Sequence, residues 1–202
     1  MVNKIWGTSS NNIYIVGNNG TMAHYNGSTW QKIESGTDLP IQDIWGALNP
    51  NTSKQEILCV ASERSLNKGK KLLKIDGNTV TALPDSGLPW SLSSVWFISN
   101  EKYYIAGDGI YEKEKLNNEI WKNGPLDITT YYTYKIRGKK SNDIAAAGGV
   151  GEVLHYNGNS WKSYFSETKL SFGNYLSVDI KGDIIVAVGI DNPKAFIAFG
   201  KR

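Results

Sequence analysis

The stretch KIWGTSSNNIYIVGNNGTMAHYNGSTW, residues 4–30, returns as KIRGKKSNDIAAAGGVGEVLHYNGNSW at residues 135–161. The two align without a gap at an offset of 131, with 13 identities in 27 positions, among them Ile5/Ile136, Gly7/Gly138, Gly17/Gly148, His24/His155, Asn26/Asn157, Gly27/Gly158 and Trp30/Trp161. An offset of 131 is three periods of about 44 residues, the length of a four-stranded propeller blade. Weaker copies fill the interval and follow it. The opening apolar residue recurs as Ile5, Ile44, Val95, Ile136 and Val178. The glycine ending the second strand recurs as Gly17, Gly107, Gly148 and Gly189, with Ala61 or Ser62 in the second copy. The closing tryptophan recurs as Trp30, Trp121 and Trp161, and the second copy carries Ile75-Asp76-Gly77-Asn78-Thr79-Val80 instead.

Each copy reads as short strands separated by turn residues. In the first, strands near Asn3–Trp6, Ile13–Val16, Thr21–Tyr25 and Thr29–Ile33 are divided by Ser/Asn/Gly clusters, and Asn26-Gly27 predicts a two-residue hairpin. Runs such as Ile13–Val16 and Ile184–Val188 are apolar without alternation, as strands covered on both faces are. The expected fold is an all-β propeller of about five blades of four-stranded antiparallel meanders, one domain over residues 1–202, with the last blade three-stranded or incomplete. Blades fall near residues 1–40, 41–90, 91–130, 131–170 and 171–202, and a closed five-bladed ring is expected.

Composition agrees. The chain has 21 glycines, 11 tyrosines and 7 tryptophans beside 2 methionines, which suits many strands and turns. A net charge of +3 is too small for a nucleic-acid-binding face. Lys68-Gly69-Lys70-Lys71 and Lys139-Lys140 read as solvated turns. Cys59 is the single cysteine, which excludes an internal disulfide. No apolar run reaches the roughly 20 residues that span a bilayer. With no signal peptide at Met1, the chain is expected either to be cytoplasmic or to have lost a leader.

The unit IWG-x4-N-[IV]-YIVG-x2-G-x3-HY-[ND]-G-x2-W resembles the repeats of bacterial secreted and lipoprotein β-propellers, a group that includes glucosyl hydrolase-like and photosystem II assembly factor-like proteins. The resemblance covers nearly the whole chain and implies a propeller at the cell envelope, periplasmic or extracellular. Asn26-Gly27-Ser28-Thr29-Trp30 also looks like a degenerate Asp-box, reduced to Gly-x-x-Trp because Ala23-His24-Tyr25-Asn26 stands where that motif has Ser and Asp.

The candidates for chemistry are few. His24 and His155 hold equivalent places three blades apart, and each is expected to bond across its own hairpin; no metal site is expected. Trp30, Trp121 and Trp161 are expected between blades, as core. Trp6, Trp45 and Trp96 follow the opening apolar residue of the innermost strand, where the last two copies carry Arg137 and Asp179. These five residues form the candidate channel-proximal binding set, and Arg137 and Asp179 are expected to pair. The carboxylates Asp38, Asp43, Asp85, Asp108, Asp127, Glu152, Asp183 and Asp191 are scattered. A glycosidase needs two facing across a cleft, and no catalytic set or cofactor emerges. The expected role is a binding or scaffold module, a monomer recognising protein or carbohydrate, with the long Ser62–Lys71 hairpin as a contact region. The alternative is a glycoside hydrolase-like propeller with acids at the channel mouth.

Overall fold

The computed structural model describes residues 1–63, 69–123 and 129–201. Its strands form five antiparallel sheets, each a meander in chain order. The first holds β1 (Val2–Ser9), β2 (Asn12–Gly17), β3 (Met22–Tyr25) and β4 (Trp30–Lys32). The second holds β5 (Ile41–Leu48), β6 (Gln55–Ser62), β7 (Lys70–Asp76) and β8 (Thr79–Leu83), and the third β9 (Leu92–Ile98), β10 (Lys102–Gly107), β11 (Gly109–Lys113) and β12 (Lys122–Asn123). The fourth holds β13 (Thr133–Lys140), β14 (Asp143–Gly148), β15 (Val153–Tyr156) and β16 (Trp161–Ser163). A single helical turn, α1 (Phe165–Thr168), leads to a three-stranded fifth sheet of β17 (Asn174–Lys181), β18 (Ile184–Asp191) and β19 (Lys194–Lys201). The sheets succeed one another as a five-bladed β-propeller whose last blade has three strands.

The repeat is conserved in register as well as in sequence. Trp6 pairs with Tyr14 and Arg137 with Ala145, both at the offset of 131, and Asp179 takes the equivalent place opposite Val186. The turn after the third strand corrects one expectation. Asn26–Thr29 is a four-residue connection closed by Asn26 N–H to Thr29 O, and the Asn26 side chain accepts from the Ser28 and Thr29 amides at 3.0 Å each. The glycine is needed there on two counts: Gly27 has φ +94°, and a Cβ on it would meet Asn11 at 2.5 Å. Gly158 repeats both features against Asn142.

Packing between blades is directional. In blades two to five, one sheet face carries the opening apolar residue and packs on the preceding blade, as Ile44, Cys59 and Leu73 do on the first. The other face carries the tryptophan position and packs on the following blade, as Trp45 and Leu58 do on the third. The Trp-Gly dipeptide has its explanation here: a Cβ at Gly46 would come within 2.4 Å of the Trp6 ring, and one at Gly138 within 2.5 Å of that of Trp96. Each indole thus lies against the bare backbone of a neighbouring blade. Covered on both sides, β14 is buried at all six positions.

Four apolar cores result, one at each junction of consecutive blades. Among the described residues no fifth apolar core joins the last blade to the first. Ile5 is 61% exposed where its equivalent Ile136 is fully buried, and on the far side of the last blade Ile197 and Phe199 are 60% and 73% exposed. Trp30 departs from its expected core position for the same reason: it is exposed, while Trp121 and Trp161 pack against the blades before them.

Equivalent truncations should therefore differ. Ile136→Ala is expected to cost about 2–5 kcal/mol, the range for a buried isoleucine, and Ile5→Ala about 0.5 kcal/mol or less. Urea unfolding of both variants checks this, and equal losses would mean that the face bearing Ile5 is covered in solution.

Candidate functional site

The innermost strands bring one repeat position to the propeller axis: Lys4, Asp43, Ser94, Lys135 and Ser177, each just before the opening apolar residue. Three of these and Arg137 make a buried network. The Asp43 carboxylate has no exposed surface and accepts two parallel bonds from Arg137, Nη1 to Oδ2 and Nη2 to Oδ1, both 2.9 Å. Oδ2 also accepts from Ser94 Oγ at 2.6 Å and the Val95 amide at 3.1 Å, and Lys135 Nζ lies 3.2 Å from Oδ1. Arg137 donates further to the carbonyls of Val95 and Ile136, and its guanidinium lies 5.0 Å from the Trp45 ring centroid.

Burial alone would push the Asp43 carboxyl up. The charges of Arg137 and Lys135, with the bonds from Arg137 and Ser94, outweigh that and hold it well below the usual carboxylate range. Lys135 moves the other way, its ammonium brought down to about 8 by burial, with Asp43 opposing and Arg137 and Lys4 adding. Lys4 is also lowered, by burial and then by Arg137, against the pull of Asp43 and Asp179.

The expected Arg137–Asp179 pair is not formed. Arg137 reaches across the inner layer to Asp43, where several donors already converge on a buried carboxylate and a bidentate partner offsets the desolvation of both charges. Asp179 stays on the exposed face of the last blade, its Oδ1 accepting from the Ile180 amide at 2.8 Å, and its charge acts on Lys4. Trp6 and Trp45 are half-buried between blades, with Trp45 Nε1 donating to Phe97 O at 3.3 Å, and Trp96 is buried. The histidines sit as hairpin braces: His24 Nε2 lies 2.7 Å from Asn12 Oδ1, and His155 Nε2 lies 3.0 Å from Asp143 Oδ1 at the same repeat position.

Above the network, at the end where the innermost strands begin, opens a depression of about 310 Å³ lined by Gln42, Ser62, Glu63, Ser93, Tyr132, Tyr134, Lys135 and Leu176. Four of these, Gln42, Ser93, Tyr134 and Leu176, share one repeat position, three residues before Trp45, Trp96, Arg137 and Asp179. The mouth therefore lies one turn of the pleat above the residues singled out from sequence, and the tryptophans do not line it. The signal was a run of polar residues at that position, Asn3, Gln42, Ser93 and Tyr134. Tyr132 and Tyr134 meet edge to face at 4.9 Å, and Tyr132 Oη lies 3.1 Å from Ser91 Oγ. A second depression of about 480 Å³, lined by Asn19, Thr37, Asp38, Leu39, Pro40, Glu63 and Lys71, adjoins it through Glu63. Of the Ser62–Lys71 contact region, residues 64–68 lie outside the described residues, as does Asp127.

The mouth offers hydroxyls, an amide, an ammonium and one apolar side chain, and Glu63 is its one carboxylate among the described residues. The Glu152 carboxyl is raised by burial but is engaged by the Thr129 hydroxyl. Among the described residues no three His, Cys, Asp or Glu side chains are grouped to hold a metal ion, and no helix is long and apolar enough to cross a membrane.

No protein-family model matches the sequence, and no curated protein sequence matches it. Solved structures do match in fold. A YCF48 bound to a D1 peptide aligns at 16% identity and a TM-score of 0.63, over 92% of this chain and 59% of that one. YCF48 from Cyanidioschyzon merolae aligns at 14% and 0.65, over 93% and 64%. PorZ, a surface component of the type-IX secretion system of Porphyromonas gingivalis, aligns at 11% and 0.56, over 98% and 26%. The chain thus spans about three-fifths of the YCF48 structures that it matches, and at these identities the likeness is one of fold.

Removing one partner of the axial network should be costly. Asp43→Ala is expected to lose about 3–5 kcal/mol by stranding Arg137, with part recovered in the Asp43→Ala/Arg137→Met double variant. The pH dependence has two limbs. A depressed carboxyl adds stability above the unfolded value near 4 and loses it in acid, so the wild type should weaken more steeply below about pH 4 than Asp43→Asn. A lowered lysine means that the unfolded chain binds more protons between about 8 and 10.5, so stability should rise across that window and flatten in Lys135→Met. Thermal melts across pH check both limbs.

Proposed function

We propose that this propeller is a non-catalytic binding module that takes a peptide segment of a protein partner across the channel mouth. The observation that carries the reading is the mouth itself. It is a shallow shelf of about 310 Å³ in which four successive blades each set one side chain from the same repeat position, Gln42, Ser93, Tyr134 and Leu176, around Lys135. Adaptable hydrogen-bonding groups beside rigid tyrosines suit a peptide backbone with mixed side chains. The second depression beside Glu63 gives an extended ligand a further place to rest. In the axial network below, Asp43 and Arg137 are engaged with each other and serve as its floor.

Two likenesses support the reading. A YCF48 of the same fold is bound to a D1 peptide. PorZ, also of this fold, is a bacterial surface component, which supports placing this module at the cell envelope. A hydrolytic mechanism would need a second carboxylate facing Glu63 across the mouth.

Selection of phage-displayed random peptides on the immobilised protein tests the proposal. A consensus is expected to emerge, and a synthetic peptide of that consensus should bind about tenfold more weakly to Tyr132→Ala/Tyr134→Ala, as loss of aromatic anchors does. Glycans retained on an array, with no peptide enriched, would overturn it in favour of carbohydrate recognition.

A further inference from the structure

We infer that the propeller axis has a site for a small oxyanion, a carboxylate or a phosphate group, among Lys135 of the fourth blade, Ser177 of the fifth and Lys4 of the first. The site lies beneath the mouth. It does not depend on the peptide reading, because a free anion fills it as well as one carried by a partner.

The same device sets one place of every inner strand toward the axis. Lys4 pairs with Val16, Asp43 with Val60, Ser94 with Ala106, Lys135 with Ala147 and Ser177 with Val188, and in all five blades the ladder is irregular immediately before that residue. The residue skipped by the ladder is the mouth position, Asn3, Gln42, Ser93, Tyr134 or Leu176. An extra residue of this kind bends its strand and re-aims the side chains beside it, which is why such irregularities recur next to functional sites.

The five axial places fall into two unlike halves. In the second and third blades Asp43 and Ser94 bond each other, and Arg137 takes both oxygens of Asp43. In the fourth, fifth and first blades the same place carries only donors, two ammoniums and a hydroxyl. Lys135 Nζ spends one donor on Asp43 Oδ1 at 3.2 Å. Among the described residues the side chains of Lys4 and Ser177 make no hydrogen bond or ion pair.

Charge points the same way. Lys4, Lys135 and Arg137 bring three positive charges to the axis, against Asp43 within it and Asp179 on the exposed face of the last blade. Burial and then Arg137 lower the Lys4 ammonium. Lys135 is lowered by burial, with Arg137 and Lys4 adding to it, and Asp43 does not cancel the effect. Asp43 is already matched by a bidentate guanidinium, so a second anion is what offsets the two lysines. Ammonium groups with several donors each, beside a hydroxyl, suit the multiple acceptor oxygens of a carboxylate or phosphate. Access is through the mouth, since Lys135 and Leu176, the neighbour of Ser177, both line the depression of about 310 Å³.

Inorganic phosphate and triglycine are the probes, each titrated into the intact protein at constant ionic strength, below the Lys135 value of about 8 so that both lysines are charged. Saturable NMR shifts are expected at the Lys4, Lys135 and Ser177 amides. Lys4→Met, which removes no bond among the described residues, should bind the probe about tenfold more weakly, the loss of one charge-assisted contact. Lys139→Met, at the opposite end of β13, should bind as the wild type does. Tighter binding of phosphate than of triglycine identifies a free oxyanion as the occupant. The reverse order, with triglycinamide inert, identifies the carboxylate of a peptide chain. Shifts that grow linearly with both probes, or equal binding by the wild type and Lys4→Met, would overturn the inference, whatever the phage selection at the mouth returns.

Discussion

Two opposite charges with almost no exposed surface, Asp43 from the second blade and Arg137 from the fourth, meet at the centre of this propeller although 94 positions apart in sequence. Such a pair is tolerated only when each hydrogen-bonding position is used. Ser94 Oγ, the Val95 amide and Lys135 also bond the carboxylate, and the carbonyls of Val95 and Ile136 accept from the guanidinium. Three inner strands are thereby locked in one relative register. A hydrophobic axis would tolerate sliding of one strand past another; a bidentate bond does not.

The blades need that reference because their other contacts are repetitive. Four apolar cores join one blade to the next, and the indole-on-glycine contacts at Gly46 and Gly138 are alike. Repeats of this kind are stabilised mainly by nearest neighbours. The Asp43–Arg137 bond is a contact that skips a blade, and it forms the floor beneath the mouth where Gln42, Ser93 and Tyr134 stand. Binding groups on a rigid floor lose less freedom when a ligand arrives.

At its two ends the array shows what a blade is without its neighbour. Ile5 on the first blade and Phe199 on the last are exposed, whereas Ile136, the equivalent of Ile5, is fully buried.

The repeat itself was legible in the residues. Thirteen identities over 27 positions, and the recurrence of Ile5, Gly17 and Trp30 in later copies, determine the strand order, the blade and the three-stranded last sheet, because a meander needs only local pairing and turns. The bracing role of His24 and His155 follows equally from their place in a hairpin. Tertiary structure alone decided which charges meet. Arg137 was legible as an exception to the tryptophan pattern, but its partner Asp43 holds a different repeat position two blades away, and the mouth residues stand three places upstream of the tryptophans. Nearest-neighbour repeats carry the pattern of a blade in sequence; the curvature that brings distant inner strands to one axis is a sum over all the interfaces, and no single stretch of sequence contains it.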